Sequence, residues 1–242
     1  MKIVAKTDVG MVRESNQDSY TTGELPNGVA WAVVCDGMGG AAGGNVASST
    51  AVKVIAEQIT SSFRPGMSAN SIKNMMVSAI NAANISVYDI SCSNSELYGM
   101  GTTVVCAIVM EHIAYIAHAG DSRAYIVSHG ALTQLTRDHS VVQELVEHGK
   151  ITALEAKRHP TKNIITRAVG VSREILVDFS EQEMKDGDVL LLCTDGLTNF
   201  VESDEMCDLT KDDMFYEFAE RLVDRANKNG GGDNVTVVAV TY

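Results

Sequence analysis

Apolar positions recur along this chain with two periods, and the change of period divides it into segments. Between residues 45 and 63, Ala47, Ala51, Val54, Ile55, Ile59 and Phe63 fall three and four apart, the spacing of one helix face, and Pro65-Gly66 supplies a stop. Residues 69–92 repeat the figure with Ile72, Met75, Met76, Ala79, Ile80, Ala83, Val87 and Ile90, so a second long helix is expected after a short turn. Its Met and Ile stripe reads as core packing. From Gly99 the period shortens. TTVVCAIVM, HIAYIAHAGDSRAYIV and ALTQLT are β-branched, short and punctuated by Glu111-His112, Gly120 and His129-Gly130, the texture of consecutive antiparallel strands. Residues 138–170 return to a polar, helical texture with Pro160 inside. EILVDFS, DVLLLCT and the terminal NVTVVAVTY then predict further strands around a helix at about 211–228.

Helices in consecutive pairs and strands in hairpin runs point to an α+β architecture, antiparallel sheets with helices packed outside them. No linker or low-complexity tract interrupts the 242 residues, so one domain spanning 1–242 is expected, long enough for a well-filled core.

Charge narrows the partners. A formal net charge of −12 repels phosphate backbones and anionic membrane surfaces, so neither nucleic acid nor a membrane is an expected partner. The same acidity serves solubility, or gathers carboxylates to hold cations. The five cysteines are odd in number and form no C-x-x-C, which fits a reducing compartment. MKIVAKTDVG opens without a long apolar stretch, and no window reaches the ~18 apolar residues of a membrane span, so a cytoplasmic protein is expected.

Two apolar runs far apart in sequence end alike: WAVVCDGMGG stops at Asp36 and VLLLCTDGL at Asp195, each followed by glycine. Singly, Asp-Gly is a common turn signal, in which glycine lets the backbone turn sharply and brings its carbonyl near whatever the carboxylate holds. Three more aspartates stand at similar joints: Asp18 in ESNQDSY, Asp121 in HAGDSRAY and Asp233 in GGGDNVTVV. If these strand ends converge, several carboxylates meet without a matching Lys or Arg cluster, and they cannot all stay ionised unless cations neutralise them.

Oxygen-only ligands suit Mg²⁺ or Mn²⁺, whereas Zn²⁺ would want nitrogen or sulfur. Cys35 and Cys193 neighbour the acids but lie in apolar runs and read as buried core residues, and no histidine pair has zinc-hydrolase spacing. Two hard cations sharing carboxylates can activate water for in-line attack on a phosphoryl group. Arg13, just upstream of Asp18, is placed to clamp the phosphate.

Rival chemistries fail on context. GMGGAA (37–42) matches a relaxed dinucleotide fingerprint, with Glu57 twenty residues after Gly37, but Pro65-Gly66 leads to a second helix instead of a parallel strand, and Asp36 would oppose a pyrophosphate. No lysine follows Gly43-Gly44 as a Walker A loop requires, no cysteine has an arginine six positions on, and neither Ser48 nor Ser122 sits in G-x-S-x-G.

The ordered set RESNQD (13–18), DGMGG (36–40), GTT (101–103), GDSR (120–123), DHS (138–140), TRAVG (166–170), TDGL (194–197) and GGDNVTV (231–237) resembles the PP2C, or PPM, family of metal-dependent protein serine/threonine phosphatases. The likeness runs from about residue 7 to the C-terminus. It extends to the compact bacterial members encoded alongside membrane-bound serine/threonine kinases. The resemblance implies a four-layer α/β/β/α sandwich, two central antiparallel sheets flanked by helix pairs. It implies two Mn²⁺ or Mg²⁺ ions bridged by Asp36, with the Gly37 carbonyl on one and Asp195 and Asp233 on the other. Asp18 would orient metal-bound water, Arg13 would hold the substrate phosphate, and a third, weaker ion would use Asp121 with Asp195. Residues 139–170 would form a mobile flap, whose basic cluster Lys157, Arg158, His159 and Lys162 is hypothesised to engage phosphopeptides.

The implied activity is hydrolysis of phosphoserine and phosphothreonine in proteins by a metal-bridging hydroxide, without a phosphoenzyme, by a monomer opposing a serine/threonine kinase. A catalytically silent phosphoprotein-binding relative would have lost a metal aspartate, and none is missing; a regulator of an anti-sigma-type switch would share the site and differ in its partner. One departure stands out. Many eukaryotic members carry histidine two residues after the first aspartate as the proton donor to the leaving group, and here that residue is Met38. A metal-bound water or a flap residue such as His139 is left for that role.

Overall fold

The computed structural model describes residues 1–209 and 215–242, with Ala41 by its backbone alone. In chain order the elements are strands β1 (Lys2–Asp8), β2 (Asp18–Leu25) and β3 (Val29–Met38), helices α1 (Gly40–Ser62) and α2 (Ala69–Ser93), strands β4 (Gly101–Thr102), β5 (Val104–Met110), β6 (Ile113–Ala119), β7 (Arg123–Ser128) and β8 (Ala131–Gln134), and short helices α3 (Val141–Glu147) and α4 (Ala153–Ala156). Strands β9 (Asp178–Glu183) and β10 (Val189–Cys193), helices α5 (Asp195–Thr198), α6 (Ser203–Leu209) and α7 (Phe215–Lys228), and strand β11 (Val235–Thr241) complete the chain.

The apolar runs are continuous because their strands are covered on both faces. Along β3, Trp31, Val33 and Cys35 pack beneath α1 and α2, while Ala30, Ala32 and Val34 face the second sheet. Along β10, Leu190 and Leu192 face the inter-sheet core while Leu191 and Cys193 lie under α7. Two-residue alternation thus sorts one run into two cores, and burying each such Leu or Val contributes about 1.5–3 kcal/mol. Cys35 and Cys193 are core residues, as their surroundings in the sequence suggest.

Two antiparallel sheets result. One has the order β2-β3-β5-β6-β9 with β4 on the end of β3; the other has the order β1-β11-β10-β7-β8. The long helices α1 and α2 cover the first. The second is covered by α7, with α5 and α6 beside it, through Phe218, Ala219, Leu222, Val223 and Ala226. This is the expected α+β sandwich of four layers. Of the helix expected at about 211–228, residues 211–214 lie outside the described residues.

The local differences have physical causes. EILVDFS pairs only from Asp178, because Asp178 faces His118 and the partner strand β6 turns away after Ala119. Strands β1 and β2 are short of large apolar residues and show no helical or strand signature in the pattern. The polar stretch 138–170 holds two short helices, α3 capped by Ser140 and α4 by a Thr152–Glu155 capping box.

Candidate metal centre

The five singled-out aspartates come from both sheets; four of them line one cleft, and the fifth, Asp18, is buried opposite Asp36. Asp18 opens β2 and Asp36 lies near the end of β3, directly opposite it in the strand pairing. Asp121 follows β6, Asp195 begins α5 straight after β10, and Asp233 precedes β11. Asp36, Asp121, Asp195 and Asp233 line a cleft of about 870 Å³, together with Arg13, Gly37 and Met38. Burial, then Asp18, Asp195, Asp121 and Asp233 in turn, push the Asp36 carboxyl well above the usual carboxylate range.

Neither Asp-Gly is the sharp turn expected from sequence. Gly37 continues β3, paired with Thr102, and Gly196 sits inside α5. Their glycines are required by close approach: a Cβ on Gly37 would lie 2.0 Å from the Gly44 carbonyl oxygen, and one on Gly196 only 1.8 Å from that of Asn234. What glycine permits here is backbone against backbone, which draws Asp36 and Asp195 into the same small volume.

Asp18 is held by a directed chain of hydroxyls. Its Oδ2 accepts from Thr194 Oγ1 at 2.9 Å and from Thr236 Oγ1 at 2.7 Å. With its proton committed to Asp18, Thr236 accepts from Thr7 Oγ1 at 2.7 Å, and Thr7 in turn accepts from Asn16 Nδ2 at 2.9 Å. Oδ1 of Asp18 is buried without a partner among the described residues. Burial pushes Asp18 up to about 7; the two hydroxyls pull down, and Asp195 and Asp233 push up.

The other carboxyls show the same conflict. Burial, then Asp195 and Asp138, bring Asp121 up to about 7, with Arg123 pulling back. Asp195 is raised by burial and Asp233, against hydrogen bonds to the Asp36 carboxyl and to Asn199, whose Nδ2 donates at 2.9 Å. A buried orphan oxygen, an all-oxygen donor set and carboxyls that resist ionisation together fit hard divalent cations such as Mn²⁺ or Mg²⁺.

Arg13 reaches the cleft by way of Asp233, donating from Nη2 to Oδ2 at 2.8 Å. Asn234, which stands in GGDNVTV without an expected role, pins the loop that carries Arg13: its Nδ2 donates to the carbonyls of Val9 and Ser15, and its Oδ1 accepts from Gln17 N. Thr103 ties Asp36 from both sides, accepting from Asp36 N at 2.9 Å through Oγ1 and donating its own N–H to Asp36 O at 2.9 Å.

His139 does not enter the cleft. It is 1% exposed, and its Nδ1 accepts from Gly120 N at 3.0 Å, which leaves the proton on Nε2 to be donated to Asp178 at 3.2 Å. The expectation that it could protonate a leaving group is therefore corrected: His139 braces the turn that carries Asp121. His118, His139 and Asp178 place ligand atoms within 4.8 Å of one another, as a metal site might. Arg167 already pairs with Asp178 at 2.6 Å, and His118 Nε2 bonds the Arg137 carbonyl, so a hydrogen-bonded brace accounts for the trio. Nearby, Arg123 of GDSR forks onto Asp138 of DHS at 2.6–3.1 Å.

The basic cluster divides. Lys157 pairs with Glu202, fastening its segment to the stretch before α6, and the His159 ring bonds Thr161, while Arg158 and Lys162 stand exposed. Among the described residues no helix is long and apolar enough to cross a membrane.

The chain is similar to known proteins over almost its whole length. The family model for protein phosphatase 2C matches residues 12–236. A putative protein phosphatase 2C-type from Streptococcus pyogenes is 37% identical, over 99% of this chain and 97% of its own. The structure of the S. agalactiae serine/threonine phosphatase superposes with a TM-score of 0.93 at 32% identity, covering 100% of this chain and 99% of that one. The catalytic domain of the serine/threonine protein phosphatase PstP, solved in complex with two manganese ions, superposes with a TM-score of 0.85 at 33% identity, covering 98% and 96%. The chain belongs to the protein phosphatase 2C family.

Proposed function

We propose that this protein removes phosphate from phosphoserine and phosphothreonine in proteins, and that it opposes a serine/threonine kinase. The observation that carries the reading is the gathering of Asp36, Asp121, Asp195 and Asp233 around one cleft, with Asp18 paired opposite Asp36 and Arg13 in the lining. Two Mn²⁺ or Mg²⁺ ions would be held by Asp36, the Gly37 carbonyl, Asp195 and Asp233, and a third, weaker one by Asp121 with Asp195. When bound, such ions acidify water and neutralise phosphoryl oxygens.

The chain's own groups supply the rest. The unpartnered Oδ1 of Asp18 would accept a hydrogen bond from the attacking water and fix its direction, because Oδ2 is already held by Thr194 and Thr236. The Arg13 guanidinium, half-exposed at the cleft, would hold the phosphate. Met38 has no proton to give and the single ring proton of His139 is donated to Asp178, so water in the cleft would protonate the leaving alkoxide. Residues 139–170 would act as a flap, with Arg158 and Lys162 free to meet the acidic flank of a phosphopeptide.

The test is phosphate release from a phosphothreonine peptide by metal-stripped protein with and without added Mn²⁺. Release only with the metal supports the reading. Absence of release with either Mn²⁺ or Mg²⁺, from protein shown to be folded, overturns it.

A further inference from the structure

A groove of about 300 Å³ runs beside the metal cleft, with Met38, Ile165, Val171, Ile175 and Leu176 as its apolar wall and Thr166, Arg167, Ser172 and Glu174 as its polar one. Met38 and Ile165 line both hollows, so the two are neighbours with these side chains in common. Gly101 lies against two of these side chains. A Cβ there would lie 2.7 Å from Val171 Cγ2 and 2.9 Å from Met38 Cε, so these two side chains meet over bare backbone that any larger residue would fill.

The apolar wall is held open. Val171 is 52% and Leu176 74% exposed, whereas Ile175 and Val177 of the same stretch pack inward beneath the helices. Asn84, 1% exposed on α2, accepts from Gly170 N at 2.7 Å and donates to the carbonyls of Ser172 and Arg173. Arg167 donates to the Leu176 carbonyl at 3.2 Å and to Asp178 at 2.6 Å. Two buried or half-buried polar side chains thus fix the backbone on either side and keep Val171 and Leu176 facing out, where contact with an apolar group would recover their exposed surface.

We infer that this groove is a recognition subsite for an apolar side chain of the phosphoprotein, within two residues of the phosphorylated one. The inference rests on the phosphatase reading. It assigns Met38 a place: the sill between the cleft that takes the phosphate and the groove that takes a neighbouring side chain, a task suited to a flexible, polarizable thioether. Glu174 and Arg167 both line the groove, so its charged edge favours neither sign and the apolar side chains set the preference.

The test uses the full chain with Mn²⁺, p-nitrophenyl phosphate as a substrate without flanking residues, and matched phosphothreonine peptides. In these the two residues on the N-terminal side, or the two on the C-terminal side, are both Leu or both Ser. One Leu peptide is expected to exceed its Ser counterpart about tenfold in kcat/KM, chiefly through KM. In Val171→Asp and in Leu176→Asp that ratio should fall to about one, a comparison made within each protein and so independent of its absolute activity. Equal rates for Leu and Ser peptides in the wild type, or a preference that survives both substitutions, overturns the subsite while hydrolysis itself upholds the phosphatase. Failure to hydrolyse any substrate, p-nitrophenyl phosphate included, overturns the phosphatase reading and the subsite with it.

Discussion

Asp18 and Asp36 are direct cross-strand partners, two carboxyls set side by side by the backbone pairing of β2 with β3. Like charges in that position destabilise a sheet, and burial makes the conflict worse. The raised Asp18 and Asp121, both at about 7, bind protons in the folded protein that the unfolded chain has already lost. Their stabilisation is therefore complete near pH 4 and disappears as pH rises through about 7. The lowered His118 and His139 act the other way, but only below their ordinary value of 6.5. Metal-stripped protein should accordingly lose thermal stability between about pH 6.5 and 8, and Mn²⁺ should restore it most at the upper end. A melting temperature of the stripped protein that rises across this window would contradict the charge conflict.

Removing one of these charges should separate stability from activity. Asp195→Asn keeps the acceptor for Asn199 and relieves repulsion with Asp233. We expect the metal-stripped variant to melt higher than wild type at pH 8, while Mn²⁺-supported turnover falls by more than the ~10–100-fold typical of residues that only support a metal ligand. Near-normal turnover would remove Asp195 from the site.

Thr194→Val and Thr236→Val each delete one hydroxyl from Asp18 Oδ2 while preserving shape. A hydrogen bond to a charged group is worth about 1.5–3 kcal/mol. Urea unfolding at pH 8 should show a loss of that order for each variant, and a smaller one at pH 5, where Asp18 is protonated. Equal losses at both pH values would mean that the threonines matter only as packing.

His139→Ala leaves Gly120 N–H without its acceptor and opens a hole beneath the turn carrying Asp121. The expected loss is about 2–4 kcal/mol in urea unfolding. Because His139 faces away from the cleft, the shape of the pH–rate profile should stay as in wild type. A missing limb in that profile would return His139 to proton transfer.

The sequence announces the layers and the acids better than it announces how they are held. α2 and the doubly covered strands were legible because burial on one stripe or on both faces leaves a periodic or continuous apolar signature. Asp36, Asp195 and Asp233 were legible as a set because the first two each end such a run and the third stands just before one. Thr194 and Thr236 stand inside TDGL and GGDNVTV, yet they and Thr7 show no role there, since a hydroxyl that holds Asp18 cannot be told from an ordinary strand threonine until two sheets are stacked. The Asp-Gly pairs misled in detail: glycine signals a turn locally, whereas here it admits Gly44 and Asn234, partners supplied by other parts of the chain. Arg13 was placed near Asp18 by sequence distance, but the fold binds it to Asp233, 220 residues away.

Strand β11 lies between β1 and β10, so the first strand and the last are hydrogen-bonded neighbours. Two of the acids, Asp18 and Asp36, precede the first helix, and Asp233 stands just before β11. During synthesis, which proceeds from the N-terminus, the early carboxylates wait through almost the whole chain for their counterparts, and β1 waits for the strand that shields its edge. A nascent chain that has not yet reached Asp233 and β11 can therefore hold part of the acid set but cannot close the cleft, which waits on the pairing of β11 with β1 and β10.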